Sequence, residues 1–172
     1  MTSEKREETA NNRHDRPRKP PGQPRYRWQE EKSMNMIGIC GDNCCFCPRY
    51  LATQNNDADK LEDVKELWVR FGLRDPAFPA QDMACFGCRP ENKCAYSEVR
   101  TCANRKEIEN CGLCHEYPCE LINTVFEESE KFRSQAVLVC TTEEMNILHK
   151  AFFSKRQNLD KIRFGKNKDR EK

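Results

Sequence analysis

Three C-x2-C knuckles in a chain of 172 residues, Cys44/Cys47, Cys85/Cys88 and Cys111/Cys114, constrain this sequence more than any other feature. Two residues between cysteines let a tight turn aim both sulfurs at one ion about 2.3 Å away. Glycine eases such a turn, and "CFGC" and "CGLC" each carry one. With Cys40, Cys94, Cys102 and Cys119 nearby in sequence, the candidate metal ligands are Cys40, Cys44, Cys47, Cys85, Cys88, Cys94, Cys102, Cys111, Cys114 and Cys119. Ten thiolates fill two four-cysteine sites with two left over. Local spacing favours one site from Cys85, Cys88, Cys94 and Cys102. The other would draw on Cys40, Cys44, Cys47, Cys111, Cys114 and Cys119, the last three supplying what the first loop lacks. Cys45 reads as an incidental thiol, and Cys140, at the end of "SQAVLVC", as a small buried hydrophobe.

The N-terminus has no apolar core of a secretory signal, and no apolar run approaches membrane-spanning length, so the expected compartment is the cytoplasm. Thiols stay reduced there, and clustered cysteines read as metal ligands before they read as disulfides. Residues 1–33 hold nine Lys/Arg, six Asp/Glu and four prolines, and read as a disordered polar tail. Met34 and Met36 precede the first patterned residues and are alternative starts. Residues 155–172, with eight basic and three acidic residues, read as a second loose, basic end. Between them, residues 34–154 carry thirteen basic and nineteen acidic residues, a formal charge of −6. An acidic core argues against nucleic acid, whose binders present a basic face.

Periodicity gives a mainly helical core. "DADKLEDVKELWVRFG" turns Leu61, Val64, Leu67, Trp68 and Phe71 to one side, with Asp57 as N-cap and Gly72 as stop, a helix over 57–71. A helix over 118–132 buries Leu121, Ile122, Val125 and Phe126. A third, over 142–154, starts with Thr141 and Glu144 in a capping-box arrangement. A short helix is expected around "ANRKEIE", a proline-broken loop over "LRDPAFPAQDMA", and a short strand in "MNMIGIC". The fold class is therefore mainly α: a small irregular metal-stabilised domain with cysteine knuckles and little or no sheet.

Two sharper motifs lose to this reading. The C-x3-C-x2-C of Cys40, Cys44 and Cys47, with Phe46 before the last, resembles the cluster loop of radical S-adenosylmethionine enzymes. Those enzymes need a partial barrel of strand–helix units, each about thirty residues or more. Only 125 residues follow Cys47, and no Gly-Gly pair supplies a cofactor stretch. "CGLCH" matches the attachment signature of c-type haem, with Met145 and His149 as imaginable axial ligands. That chemistry belongs mostly to exported proteins, and five-residue matches arise readily among knuckles. No Gly-rich phosphate loop, nucleophile elbow or HExxH helix is present, so no catalytic constellation emerges.

The landmarks "ICGDNCCFCPRYLAT", "CFGC" and "VRTCANRKEIENCGLCHEYPCELI" resemble the cysteine-rich proteins grouped as domain of unknown function 3795, over about residues 36–125. The last segment is the most specific. Ser97 stands where many members carry a cysteine, with Cys94, one helical turn earlier, as the candidate substitute. The resemblance implies a bacterial or archaeal cytoplasmic metal-binding protein and brings no activity with it. The expected function is a zinc-binding module, with two zinc ions, that presents a surface to a protein partner. The alternative is an iron–sulfur protein, holding a [4Fe-4S] cluster, for electron transfer or redox sensing.

Overall fold

The computed structural model describes residues 36–90 and 92–165. The polar tail over 1–33, the alternative start at Met34 and the last seven residues lie outside the described residues. Among the described residues six α-helices make the fold, and the only extended pairing is one antiparallel bridge, Ile37 with Asn43. The strand expected in "MNMIGIC" is thus a single bridge, because the chain turns back at Gly38–Asp42 to shape a cysteine loop.

Helix α1 (Pro48–Asn55) was not foreseen in the sequence and begins directly on the first knuckle. Cys47 is extended and its sulfur accepts the amide of Tyr50, while Pro48 supplies a preset φ where no N–H is needed. Asn56, in the left-handed region at φ 52°, ends it. Helix α2 (Ala58–Arg70) is the helix expected over 57–71, with Asp57 accepting the Lys60 amide at 3.0 Å as N-cap. Val64 and Leu67 are buried, and Trp68 and Phe71 flank them.

Helix α3 (Ser97–Arg105) lies earlier than the helix expected around 103–109. Its buried pair Val99 and Ala103 sets the register, and Glu107 at φ 53° terminates the segment that its charged residues had suggested would continue. Helix α4 (Glu120–Val139) starts after Cys119 and runs further than the 118–132 expected. Its N-terminal half puts Ile122, Val125 and Phe126 into one core with Ile39, Val99, Ala103 and Leu159. Ala136, two to three turns later, enters a second core with Leu67 and Leu148. A 20-residue helix spans about 30 Å, which is how one element serves both.

Helix α5 (Thr142–Leu148) opens with a complete Thr141/Glu144 capping box. The helix expected over 142–154 does not run on unbroken: His149–Phe153 widens into a π turn. Phe152 meets Trp68 edge to face at 5.8 Å. The loose end read over 155–172 is corrected most. Residues Lys155–Gly165 form α6, with Lys155 and Leu159 buried and Ile162 packed on the first core. The spacing 155, 159, 162 makes one buried face, hidden in the sequence by the surrounding basic residues. No helix among the described residues is long and apolar enough to cross a membrane.

Leu159 is fully buried (0% exposed), so Leu159→Ala is expected to lower stability by about 2–5 kcal/mol. Leu138→Ala, at a position 82% exposed, should change it by less than about 0.5 kcal/mol. Urea unfolding of the two variants checks the pair; equal effects would contradict the docking of α6.

Candidate metal centres

The ten candidate cysteines fall into two groups, and the grouping differs from the one spacing favoured. Cys40, Cys44, Cys47, Cys85, Cys88 and Cys94 line one cavity of about 250 Å³. Cys102, Cys111, Cys114 and Cys119 line a second, of about 20 Å³. Cys102 therefore leaves the Cys85–Cys94 loop for the 111–119 segment, and the first loop finds its partners at 85–94. The physical reason is α3. Val99 and Ala103 anchor it in the first core beside Cys114, which carries Cys102 toward Cys111 and Cys119 and leaves Cys94 before the helix.

In the six-cysteine group, α1 and the loop before it meet the 85–94 loop. An ideal Cβ on Gly38 would lie 3.2 Å from the Cys88 sulfur and 3.8 Å from that of Cys44, so a bare backbone lets the two loops close. The Ile39 amide donates to Cys88 Sγ at 3.4 Å across the same junction. Arg49 fixes the other side: its guanidinium donates to the carbonyls of Met83, Ala84 and Lys93. Arg100, on α3, donates to the carbonyls of Asn92 and Pro90. Two arginines thus pin the backbone that carries Cys85, Cys88 and Cys94. Gly87, at φ 89°, supplies the left-handed residue the second knuckle needs.

Donors converge on the sulfurs. Besides Cys88, Cys47 accepts from the Tyr50 amide (3.4 Å), Cys85 from Asn92 Nδ2 (3.3 Å) and Cys94 from the Tyr96 amide (3.4 Å). Lys106 Nζ lies 3.6 Å from Cys114 Sγ and pairs with Glu116 at 2.7 Å. Such donors favour thiolate over thiol. The Cys40 sulfur also faces the Asp42 carboxylate, at 3.4 Å.

Burial works in the other direction. It raises the Cys40, Cys44 and Cys88 thiols above their ordinary value, with neighbouring sulfurs and Asp42 adding to it. Cys47 is pushed up to about 12 by burial first, against the Tyr50 amide, with Cys85 adding a smaller upward push. Cys111 is likewise raised to about 12, by burial and then by Cys119, Cys114 and Cys102. A crowd of buried thiols cannot ionise together unless a cation compensates them.

As the side chains stand, no group of three or more His, Cys, Asp or Glu among the described residues is drawn together tightly enough to hold a metal ion. The donor set nevertheless fits one. The smaller cavity has room for roughly one water-sized sphere and is walled by four soft sulfur donors. In the c-haem alternative Cys111 and Cys114 would pair with Met145 or His149. Met145 instead packs on the second core, His149 meets Ser154, and His115 is exposed beside Glu116. Cys45 accepts the Met36 amide, and Cys140 is half-buried against the second core.

Helix α6 locks both groups from behind. A Cβ on Gly41 would fall 2.6 Å from the Lys155 carbonyl, and one on Gly112 would fall 2.7 Å from that of Leu159. Asn158 donates to the Gly41 carbonyl at 2.9 Å, Arg163 to that of Cys114 at 3.0 Å, and Tyr117 to Asp160 at 2.7 Å. Lys155, 4% exposed, forms an ion pair with Asp42. Burial opposes its charge, but Asp42, then Cys40 and Tyr96, hold its pKa above the ordinary lysine value. Arg49, Arg100, Lys106 and the Lys155–Asp42 pair were missed in the sequence, where nothing in their spacing sets them apart from surface charges.

Asp42→Asn leaves Lys155 buried without its carboxylate and is expected to cost about 3–5 kcal/mol. Adding Lys155→Met should recover part of that loss. Urea unfolding of both single variants and the double variant tests the pair; purely additive losses would contradict a direct coupling.

A model of the family described as "Protein of unknown function (DUF3795)" matches residues 36–124 of this chain. No curated protein and no solved structure matches it.

Proposed function

The chain belongs to the DUF3795 family, and from that premise we propose that it is a metal–thiolate protein, with structural zinc at the four-cysteine group and a second thiolate-bound metal at the six-cysteine group. The observation that carries the reading is the gathering of ten cysteines into two cavities with N–H and ammonium donors aimed at their sulfurs. Cys102, Cys111, Cys114 and Cys119 form an all-sulfur set of the kind that closes a tetrahedral zinc site. Lys106 would offset part of the negative charge that four thiolates leave on the ion.

The six-cysteine group supports zinc and, as a second reading, an iron–sulfur cluster. Its larger cavity and its four sulfurs with N–H donors favour the cluster, since hydrogen bonds to sulfur tune such centres. Six cysteines exceed what either centre uses, and Cys40, facing Asp42, is the ligand we leave out first. Among the described residues none assemble into acid–base or nucleophilic machinery. We therefore read the protein as a cytoplasmic binding or regulatory module that works through a protein partner, with the acidic core turning nucleic acid away.

Anaerobic purification with zinc, iron and sulfide measured per chain decides the metal. Colourless protein with about two zinc ions supports the first reading, and a brown chain with acid-labile sulfide supports the second. Cys102→Ser should remove about one metal equivalent while sparing the other centre, and Cys88→Ser the reverse. A chain that retains no metal after purification sinks both readings. Because high-pKa thiols must lose protons to bind, apparent zinc affinity should rise with pH between about 6 and 8. A pH-independent affinity would mean that these thiols are not the ligands.

A further inference from the structure

Three consecutive residues separate Cys40 from Cys44, and the C-terminal segment grips all of them. The Lys155 carbonyl seats against Gly41, whose own carbonyl accepts Asn158 Nδ2 at 2.9 Å. Asp42 pairs with Lys155 Nζ, and the Asn43 amide donates to the Ala151 carbonyl at 2.9 Å. The Asn43 side chain in turn accepts the Cys45 amide at 3.1 Å, which carries the grip into the first knuckle. On the far side, Ser129 of α4 donates to the Phe152 carbonyl at 2.8 Å and ties the π turn to the longest helix.

Helix α6 depends on the cysteine loops more than on its helical neighbours. Leu159 is fully buried and Ile162 packs beside it. The polar contacts of Lys155, Asn158, Asp160 and Arg163 go to Asp42, Gly41, Tyr117 and Cys114, all in cysteine loops, against one to α4, from Arg156 to Asn123 at 3.3 Å. Among the described residues those loops have no strand to stiffen them, only the single bridge of Ile37 with Asn43. The Cys44 and Cys88 sulfurs flank Gly38 from the two loops of the six-cysteine group. A metal shared between those loops fixes Cys44, and with it the placement of Gly41, Asp42 and Asn43 on which α6 sits.

From the grip of residues 151–158 on the three residues before Cys44, we propose that metal binding at the six-cysteine group and docking of α6 form one coupled equilibrium, in which loss of the metal releases α6 while α4 stays folded. The proposal rests on the metal–thiolate reading and adds a regulatory device to it: a helix whose release reports the state of the metal. Such coupling is reciprocal, so the docked helix also tightens the site, typically by about 5–150-fold.

The test uses the full chain as purified, with its metal content measured first. Hydrogen exchange read by mass spectrometry compares it with Cys88→Ser, which removes the six-cysteine metal from the loop opposite Gly41–Asn43. Amides of α6 should exchange at least about tenfold faster in the variant, and those of α4 within about twofold of wild type. Unchanged protection of α6 after verified loss of that metal overturns the proposal. So does loss of α4 protection together with α6, because the metal then holds the whole domain. The converse arm is Asn158→Ala in a Cys102→Ser background, which keeps only the six-cysteine metal. Asn158 bonds to a carbonyl, not to a sulfur, and alanine is the better helix former, so a weakened site traces to the lost contact and not to a weaker helix. The EDTA concentration that strips half of the metal should fall by about fivefold or more. An unchanged concentration overturns the proposal. If Cys88→Ser does not fold by circular dichroism, this arm decides it. A purified chain without metal removes both this proposal and the metal reading, whereas retained metal to which α6 is indifferent removes this proposal alone.

Discussion

Everything else in this molecule is arranged around the seating of one helix against two cysteine loops. Lys155, at the start of α6, is buried and paired with Asp42 in the first loop, and its own backbone carbonyl lies where only a glycine, Gly41, lets it approach. One turn later Leu159 fills the first core, and its carbonyl presses on Gly112 inside the third knuckle. Asn158, Asp160 and Arg163 add hydrogen bonds to both loops. A buried charge held by one carboxylate is a demanding device, since either partner alone is left uncompensated. It has a positional consequence: the first loop cannot shift without pulling an ammonium group into apolar surroundings. Two cysteine loops that already meet through the Cys111 amide on the Ile39 carbonyl thereby acquire a common reference.

A second arrangement follows from the charge that thiolates bring. Buried thiols resist ionisation, the more so when crowded, and these are both buried and crowded. The chain meets this with amides on individual sulfurs, with Lys106 at Cys114, and with two arginines that tie the 85–94 loop by its carbonyls. Those arginines hold charge near the sulfurs while serving a structural role, because a guanidinium can fasten several carbonyls at once.

The family match runs from the first cysteine loop into α4 and so includes all ten candidate ligands, whereas α5, the π turn and α6 lie beyond its end. The candidate ligands thus sit in one part of the chain and the helix that seats them in another. Asn43 donates to the Ala151 carbonyl and Lys155 reaches Asp42, so the two parts meet at the first loop.

Local chemistry made much of this legible beforehand. Asp57, Thr141 and Glu144 announce helix starts because capping depends on residues three apart, and the α2 stripe from Leu61 to Phe71 needs only its own period. The ten cysteines and their knuckles are equally local. What the sequence could not decide was which knuckles meet. C-x2-C spacing fixes the distance within a pair and says nothing of the distance between pairs, so Cys102, about equally far from Cys94 and Cys111, was placed with Cys85, Cys88 and Cys94. Packing of Val99 and Ala103 decided otherwise. Helix α6 was hidden for a related reason: its buried face is set by a lysine, a leucine and an isoleucine amid basic residues, and a lysine reads as buried only once Asp42, over a hundred residues away, is found beside it. Read alone, the chain yields the candidate donors, the helical class and the starts of α2, α4 and α5, all of which depend on neighbours within a turn or two. The tertiary structure alone decided the partition of the sulfurs, the seating of α6 and the cavity between the cores, because each rests on contacts between residues far apart in the chain.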